Sequence, residues 1–180
     1  AVEVVVGIAL GLSLRMFVLA LQTAGAMMAQ ATSLAQLFGG AGPEPQPAIS
    51  NLLVMAGLAL AVAMGLHVHI AELLILSYQM LPAGAFPRAS DMADWGLDQI
   101  SRAFSLGFIL ATPFTISALL YNVALGVINR AMPALMVSFV GAPALTAAGL
   151  ALMAVMAPLV LAIWSQALQT FFAAPFQAIP

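Results

Sequence analysis

Two histidines and a glutamate lie close together in one apolar segment, and their types suit metal binding or proton transfer. His67, His69 and Glu72 fall near the middle of residues 49–81. Helical residues two apart point about 200° away from each other, and neither histidine has a further ligand four residues on. The spacing favours hydrogen-bonded histidines at an interface or a solvent-exposed surface over a metal site, and it leaves a proton relay as an open hypothesis.

Composition excludes several functional classes. The chain of 180 residues is 64% hydrophobic and 6% charged, which indicates a membrane protein. Four arginines against six acids, with no lysine, leave no basic patch for nucleic acid. Cysteine is absent, which excludes disulfides and thiol-bound metals. Since no GxSxG, HExxH or phosphate-binding glycine loop occurs either, we expect no enzymatic activity and no cofactor.

The elements that hold these residues are predicted to be helices, which gives an all-α fold. Alanine, leucine and methionine dominate, and strand-like alternation is missing. A Gly/Pro-rich loop at residues 39–47 and two prolines between residues 82 and 87 mark breaks. The predicted apolar helical stretches are 4–38, 49–81, 91–111, 114–128 and 144–172.

The second stretch is too long for a simple membrane span. At ~1.5 Å per residue it would measure roughly 50 Å, against ~30 Å of hydrocarbon. We therefore expect residues 49–81 to tilt, break or leave the membrane.

Small residues at helical spacing suggest close helix packing. Gly7 and Gly11 form one such series, which Ala24 and Gly25 continue, and Gly57, Ala61 and Gly65 form a second series. The same pattern is common in apolar helices without any specific contact, so both interpretations stay open.

Half of the charged residues fall between residues 88 and 102. Asp91, Asp94, Asp98 and Arg102 share one helical face, and Ser90 is placed to cap the helix. A solvated start of the third helix explains them, and a docking surface for a neighbouring subunit is the alternative.

The run from residue 126 to 143 joins two apolar segments with Asn129, Arg130, Pro133, Gly141 and Pro143. Arg130 is placed to bond the unpaired carbonyls where its helix ends before Pro133. The alternative is that Arg130 crosses to an adjacent subunit, because a guanidinium among apolar segments needs several partners.

This run resembles the signature of the FliR family of flagellar type III export-gate proteins, whose SctT relatives serve virulence injectisomes. Two further regions carry the resemblance. The first is Glu3, Gly7, Gly11 and Arg15 with Ala20, Ala24, Gly25 and Gln30, and the second is Gly65, Leu66 and His67 with Ser77, Leu81 and Pro82.

The resemblance implies a single domain over residues 1–180, built of membrane-associated kinked helical hairpins and lacking the family's N-terminal helices. It implies a non-enzymatic subunit of the inner membrane in the flagellum basal body. Together with FliP and FliQ, and with FlhA and FlhB nearby, such a subunit forms the channel that conducts unfolded flagellar proteins. The family signature also marks Arg15, Asn129, Arg130, Pro133, Gly141 and Pro143 as interface positions.

The family's luminal plug loop maps onto residues 30–40. Where family members usually have Gln-x-Gly-Leu-Ser, this chain has Gln30-Ala-Thr-Ser33-Leu34. Flexible methionine side chains seal around irregular shapes, which suits a soft obstruction. The residues assigned to it are Met27, Met28, Gln30, Ser33, Leu34, Leu37 and Phe38.

Three rivals remain. An injectisome subunit shares the fold and mechanism but not the substrates. A small-molecule permease would use His67, His69 and Glu72 as its polar centre and would work without partners. A purely structural scaffold would lack a loop in the lumen.

Overall fold

Five α-helices make up almost all of the part of the chain that the computed structural model describes, which is residues 2–33, 48–80, 88–131 and 137–175. No strand occurs in these ranges, so the predicted all-α class is confirmed there. The loop predicted at residues 39–47 and the prolines at 82 and 87 lie outside them. The helices are α1 Val2–Ser33, α2 Ala48–Ala63, α3 Leu66–Met80, α4 Ala89–Ala131 and α5 Val137–Ala173.

Within the described residues, three helical segments are long and apolar enough to cross a membrane, and the bent pair of α2 and α3 is a fourth if it forms one span. The three are Glu3–Gln30, Ala89–Tyr121 and Gly149–Ala173. The full helices are longer still, with 32 residues in α1, 43 in α4 and 37 in α5. At ~1.5 Å per residue they measure roughly 48, 65 and 56 Å, well above the ~30 Å of a bilayer's hydrocarbon. The chain is an all-α membrane protein whose helices extend beyond a single bilayer span.

Of the three outcomes expected for residues 49–81, tilting, breaking or leaving the membrane, the structure shows a break, which lies at Gly65. Helices α2 and α3 are bent by 70° relative to each other. Gly65 has φ of +85°, a left-handed conformation that glycine adopts without steric cost. The Gly65 N–H donates to the carbonyl of Val62 over 3.0 Å, which tightens and ends α2.

Helix α4 continues through Pro113, so the prediction of two helices, 91–111 and 114–128, is wrong. Proline has φ close to the helical value and removes only the bond to the carbonyl four residues back. Neighbouring hydroxyls bond other carbonyls here: Thr112 Oγ1 donates to Phe108 O over 2.7 Å, and Ser117 Oγ donates to Pro113 O over 2.8 Å. A proline in an apolar helix is therefore not a sufficient stop signal.

Helix α5 begins at Val137, seven residues before the predicted start at residue 144. The predicted linker is correspondingly shorter, and Gly141 and Pro143 belong to the helix. Pro143 is the seventh residue of α5, so this proline does not stop the helix either, although it removes a backbone hydrogen bond and its ring crowds a carbonyl.

Helix α2 packs antiparallel on α1 at very short range. Ser50 Oγ, near the start of α2, donates to Gln22 O over 3.1 Å. Gly57, further along α2, faces Leu21, which comes earlier than Gln22 on α1. A Cβ on Gly25 would overlap the backbone of Ser50. Glycine at position 25 is what lets the two backbones approach this closely.

Helix α5 also runs antiparallel to α1. Trp164 Nε1 donates to Phe17 O over 2.9 Å, and Phe171 packs with Leu10 nearer the start of α1. The rings of Phe17 and Phe171 lie 5.4 Å apart at an interplanar angle of 56°, a tilted pair.

Helix α4 runs parallel to α1. Gly107 faces the carbonyl of Ala20 and the side chain of Thr23 in the second half of α1. At the start of α4, Trp95 Nε1 donates to Pro175 O over 3.0 Å, just after the end of α5. The start of α4 therefore lies beside the start of α1.

The main core forms where α1, α2, α4 and α5 meet. Trp164 and Phe114 are its largest fully buried side chains. Its buried members are Leu21, Ala24, Met28, Leu53, Ala61, Leu110, Ala111, Phe114, Val160, Trp164 and Leu168.

Candidate functional site

The exposed apolar faces are the feature with the clearest functional meaning, because the four-helix core uses only part of the apolar surface. On α4, exposed large apolar side chains extend from Leu97, 65% exposed, to Val127, 64% exposed. Those 30 residues span about 45 Å along the helix, whereas lipid hydrocarbon covers only ~30 Å. The part of this face that extends beyond the lipid hydrocarbon can be shielded from water only by a neighbouring protein.

Helix α2 presents a second such face. Leu52, Met55 and Val62 are each exposed by 60% or more on the side opposite the core. Monomeric soluble proteins rarely expose apolar patches of this extent, which mark interaction or membrane surfaces.

Both series of small residues are packed in part. In the first series Ala24 and Gly25 are buried, and a Cβ on Gly25 would overlap the backbone of Ser50. Gly57 and Ala61 are buried, and a Cβ on Gly57 would meet Leu21 and approach Trp164 to 3.7 Å. Close packing is therefore confirmed for this pair. Gly7 and Gly11 have open space around them within the described chain, and the close packing predicted for that pair has no partner there. The last member, Gly65, forms the turn between α2 and α3.

His67, His69 and Glu72 do not act as one group. His69 Nδ1 lies 3.2 Å from Glu72 Oε2, and its ring stacks on Phe172 with centroids 5.0 Å apart. His67 is exposed. Across the described ranges, no three His, Asp, Glu or Cys side chains are grouped closely enough to hold a metal ion. The arrangement is a hydrogen-bonded histidine at a contact between helices, as the sequence favoured.

The acidic stretch lies on the first turns of α4. Asp91 and Asp94 are exposed, and Asp98 is partly buried. The predicted cap at Ser90 is wrong, because Met92 N donates to Arg88 O and the helix already starts at Ala89. Ser90 Oγ donates to Asp91 Oδ1 over 3.1 Å instead.

The residues assigned to the plug begin on a helix rather than in a loop. Met28 is fully buried in the main core, Met27 packs against that core, and Gln30 is exposed on the last turns of α1. Ser33 ends α1. Leu34, Leu37 and Phe38 lie outside the described residues. Residues 30–33 are therefore helical, and in this structure Met28 is a core residue.

The predicted interface residues are spread over three helices. Arg15 is exposed on α1, and Arg130 is exposed in the last turn of α4, where a positive charge complements the helix dipole. Asn129 precedes Arg130 on α4, and Gly141 and Pro143 lie in the first turns of α5. Pro133 is outside the described residues. The interface roles of all six remain predictions.

Sequence reasoning missed the contacts that organise the helices. Trp164 joins α5 to α1, Trp95 joins α4 to the end of α5, and Ser50 joins α2 to α1. The two tryptophan contacts could have been anticipated from the sequence. Trp95 and Trp164 are the only tryptophans, and a buried indole N–H needs a hydrogen-bond acceptor.

Sequence comparisons place the chain among bacterial export proteins. The profile of the family described as "Bacterial export proteins, family 1" matches residues 1–171. The "Flagellar biosynthetic protein FliR" of Caulobacter vibrioides is 32% identical over 165 residues, which cover 91% of this chain and 66% of that protein.

Two other similar proteins carry the same name. The Escherichia coli protein is 29% identical over 160 residues, which cover 88% of this chain and 61% of that protein. The Aquifex aeolicus protein is 30% identical over 172 residues, covering 94% of this chain and 66% of that protein. This chain therefore spans just under two thirds of the length of these relatives.

Proposed function

Because this chain belongs to the bacterial export proteins of family 1, the FliR family, we propose that it is a flagellar type III export-gate subunit. In this proposal it lies in the bacterial inner membrane at the flagellum basal body. Together with FliP and FliQ homologues it forms the channel that conducts unfolded flagellar proteins, with FlhA and FlhB homologues nearby.

The observation that carries the proposal is the length of the exposed apolar face on α4. The face from Leu97 to Val127 exceeds what one bilayer covers, and α2 exposes Met55 on a different side. Apolar helices of neighbouring subunits are the partners that fit such faces, because they bury apolar area without requiring charged or polar groups in return.

The luminal gate is assigned to residues 30–40. Gln30, on the last turns of α1, is exposed. Leu34, Leu37 and Phe38 then supply the soft apolar obstruction, which blocks ions at rest and yields to an unfolded chain. Met27 and Met28 anchor the base of this segment by packing in the core.

In this proposal the subunit forms part of the channel wall and its gate, and it catalyses no reaction. The sequence holds no nucleotide-binding loop, and among the described residues no side-chain group suits a metal ion. Energy for export would come from other components.

Export in the living cell tests the function. Deletion of the gene should remove hook and filament proteins from the culture medium and abolish swimming, and the wild-type gene supplied in trans should restore both. The matched control is a FliQ-homologue deletion, which should give the same loss.

The rivals predict other results. An injectisome subunit would leave flagella intact and stop the secretion of virulence proteins. A permease, reconstituted alone, would move a small solute across vesicles.

A further inference from the structure

At the junction between α2 and α3, the backbone of Gly65 makes the hydrogen bonds on both sides of the bend. On the α2 side, Gly65 N donates to Val62 O over 3.0 Å. On the α3 side, Val68 N and His69 N both donate to Gly65 O, over 2.9 and 3.2 Å. Within residues 48–80, no backbone hydrogen bond joins a residue before Gly65 directly to one after it.

The conformation of Gly65 also separates the two helices. Its φ of +85° is open to glycine, and a Cβ placed there would have nothing within 4 Å. No atom fills the space beside the Gly65 α-carbon. The 70° angle between α2 and α3 is held by the Gly65 backbone and by the side chains of α3 that touch other helices.

Helix α3 touches the rest of the described chain along a narrow strip. Leu73 and Ser77 are its buried residues, at 4% and 5% exposure, whereas Leu74, Ile75 and Tyr78 are exposed. Leu73 packs with Val6, Leu10 and Phe171 in a second buried cluster, which adjoins the main core through Phe17 and Phe172. Leu66, at the start of α3, packs against the main core itself.

An aromatic contact completes this strip. The His69 ring stacks on Phe172 of α5 with an interplanar angle of 23°, and Phe172 lies 5.9 Å from Phe171, which in turn packs on Phe17 of α1. Through these rings, α3 is attached to the end of α5 and to α1.

We propose that α3 is an arm that pivots about Gly65 and that the contact between His69 and Phe172 latches it in the bent position. The pivot has no backbone hydrogen bond across it, and beyond Leu66 the contacts of α3 with α1 and α5 are made by a few side chains near Leu73 and His69. Release of the latch lets α3 swing while α1, α2, α4 and α5 keep their packing. The device does not depend on the export function, so the two can fail separately.

Distance measurements between spin labels test the arm, because the chain has no cysteine and accepts label pairs at chosen sites. Ile75→Cys on α3 and Met55→Cys on α2 are exposed positions that report the bend. The control pair is Met55→Cys and Val155→Cys on α5, because Gly57 and Trp164 hold α2 against α5. Labels are read in the full chain, purified with its co-extracted partners.

The latch variant is Phe172→Leu, which keeps apolar volume and removes the ring. In this variant the distance distribution of the α2–α3 pair should become at least twofold wider or split into two peaks. The distribution of the control pair should be unchanged. His69→Leu, on the other side of the same contact, should do the same.

The pivot variant is Gly65→Ala, whose Cβ disfavours positive φ and drives α2 and α3 towards one continuous helix. The α2–α3 distance should lengthen towards about 30 Å, the rise of 20 helical residues. The proposal is overturned by an α2–α3 distribution that keeps its wild-type width in the two latch variants or its wild-type mean distance in Gly65→Ala. It is equally overturned by a control pair that broadens together with it, since that would mean loosening of the whole chain.

Discussion

The indole N–H of Trp164 on α5 donates a hydrogen bond to the backbone carbonyl of Phe17 on α1, over 2.9 Å, and Trp164 is only 2% exposed. The same ring approaches the position that a Cβ on Gly57 of α2 would occupy. One side chain thus fixes how three helices meet, and the apolar surface that remains is directed outward.

This arrangement predicts different environments for the two tryptophans. Fluorescence from Trp164 alone, in a Trp95→Phe variant, should be blue-shifted and resistant to quenching by acrylamide. Trp95 alone, in a Trp164→Phe variant, should be quenched more strongly because its side chain is partly exposed. Equal quenching of the two would contradict the buried position of Trp164.

The short approach of α1 and α2 predicts a severe effect of Gly25→Ala. The added methyl would overlap the Ser50 backbone, so the helices must move apart, at a cost of about 1–3 kcal/mol or more. Thermal unfolding in detergent, followed by circular dichroism, measures the loss.

Gly11→Ala is the matched control for that variant. Gly11 lies on the same helix with open space around it, and alanine favours helix by up to ~1 kcal/mol. Its unfolding temperature should be unchanged or higher. Equal losses for the two variants would rule out the close contact as the cause.

Replacing the buried Gln99 with methionine is predicted to stabilise the protein. The Gln99 side-chain nitrogen is buried without a hydrogen-bond partner in the described chain, and the residue is 6% exposed. Replacing it with methionine, of similar length, removes an unsatisfied amide and should raise stability by about 1–3 kcal/mol. Gln166→Met, at an exposed site of α5, should change stability little. A lower unfolding temperature for Gln99→Met than for Gln166→Met would show that the amide has a partner.

The proposed gate predicts ion leakage when it is removed. Deleting residues 34–40 leaves α1 intact and takes away Leu34, Leu37 and Phe38. Conductance through the assembled complex in planar bilayers should rise at rest. A replacement of the same length made of glycine and serine serves as the control for loop length and should also leak. Unchanged conductance in the deletion would contradict a gate at this segment.

Much of the fold could be predicted from residue patterns. Apolar composition without alternation indicates helices, and the excessive length of residues 49–81 indicates the break that Gly65 makes. The prolines misled the prediction, because Pro113 and Pro143 both lie within helices. At Pro113, the burial of Leu110 and Phe114 on either side stabilises the helix against the cost of the proline.

Helix pairing was less predictable. Gly7 and Gly57 belong to similar small-residue patterns, yet only Gly57 is packed within the chain. Helix α5 is apolar on nearly every side, so its sequence does not show which face carries Trp164 to α1. Met28 was predicted to be part of an obstruction because methionine is flexible, but it is a core residue. The same flexibility lets methionine fill irregular gaps in a core.

The measurement that tests the central claim most directly is co-assembly. The chain is expressed with and without FliP and FliQ homologues from the same genome, extracted in mild detergent and analysed by native mass spectrometry. Expressed together, the three should form one complex of defined mass, and the chain alone should aggregate because its α2 and α4 faces are uncovered. A chain that is monodisperse and folded alone, and that binds neither homologue, would contradict the account.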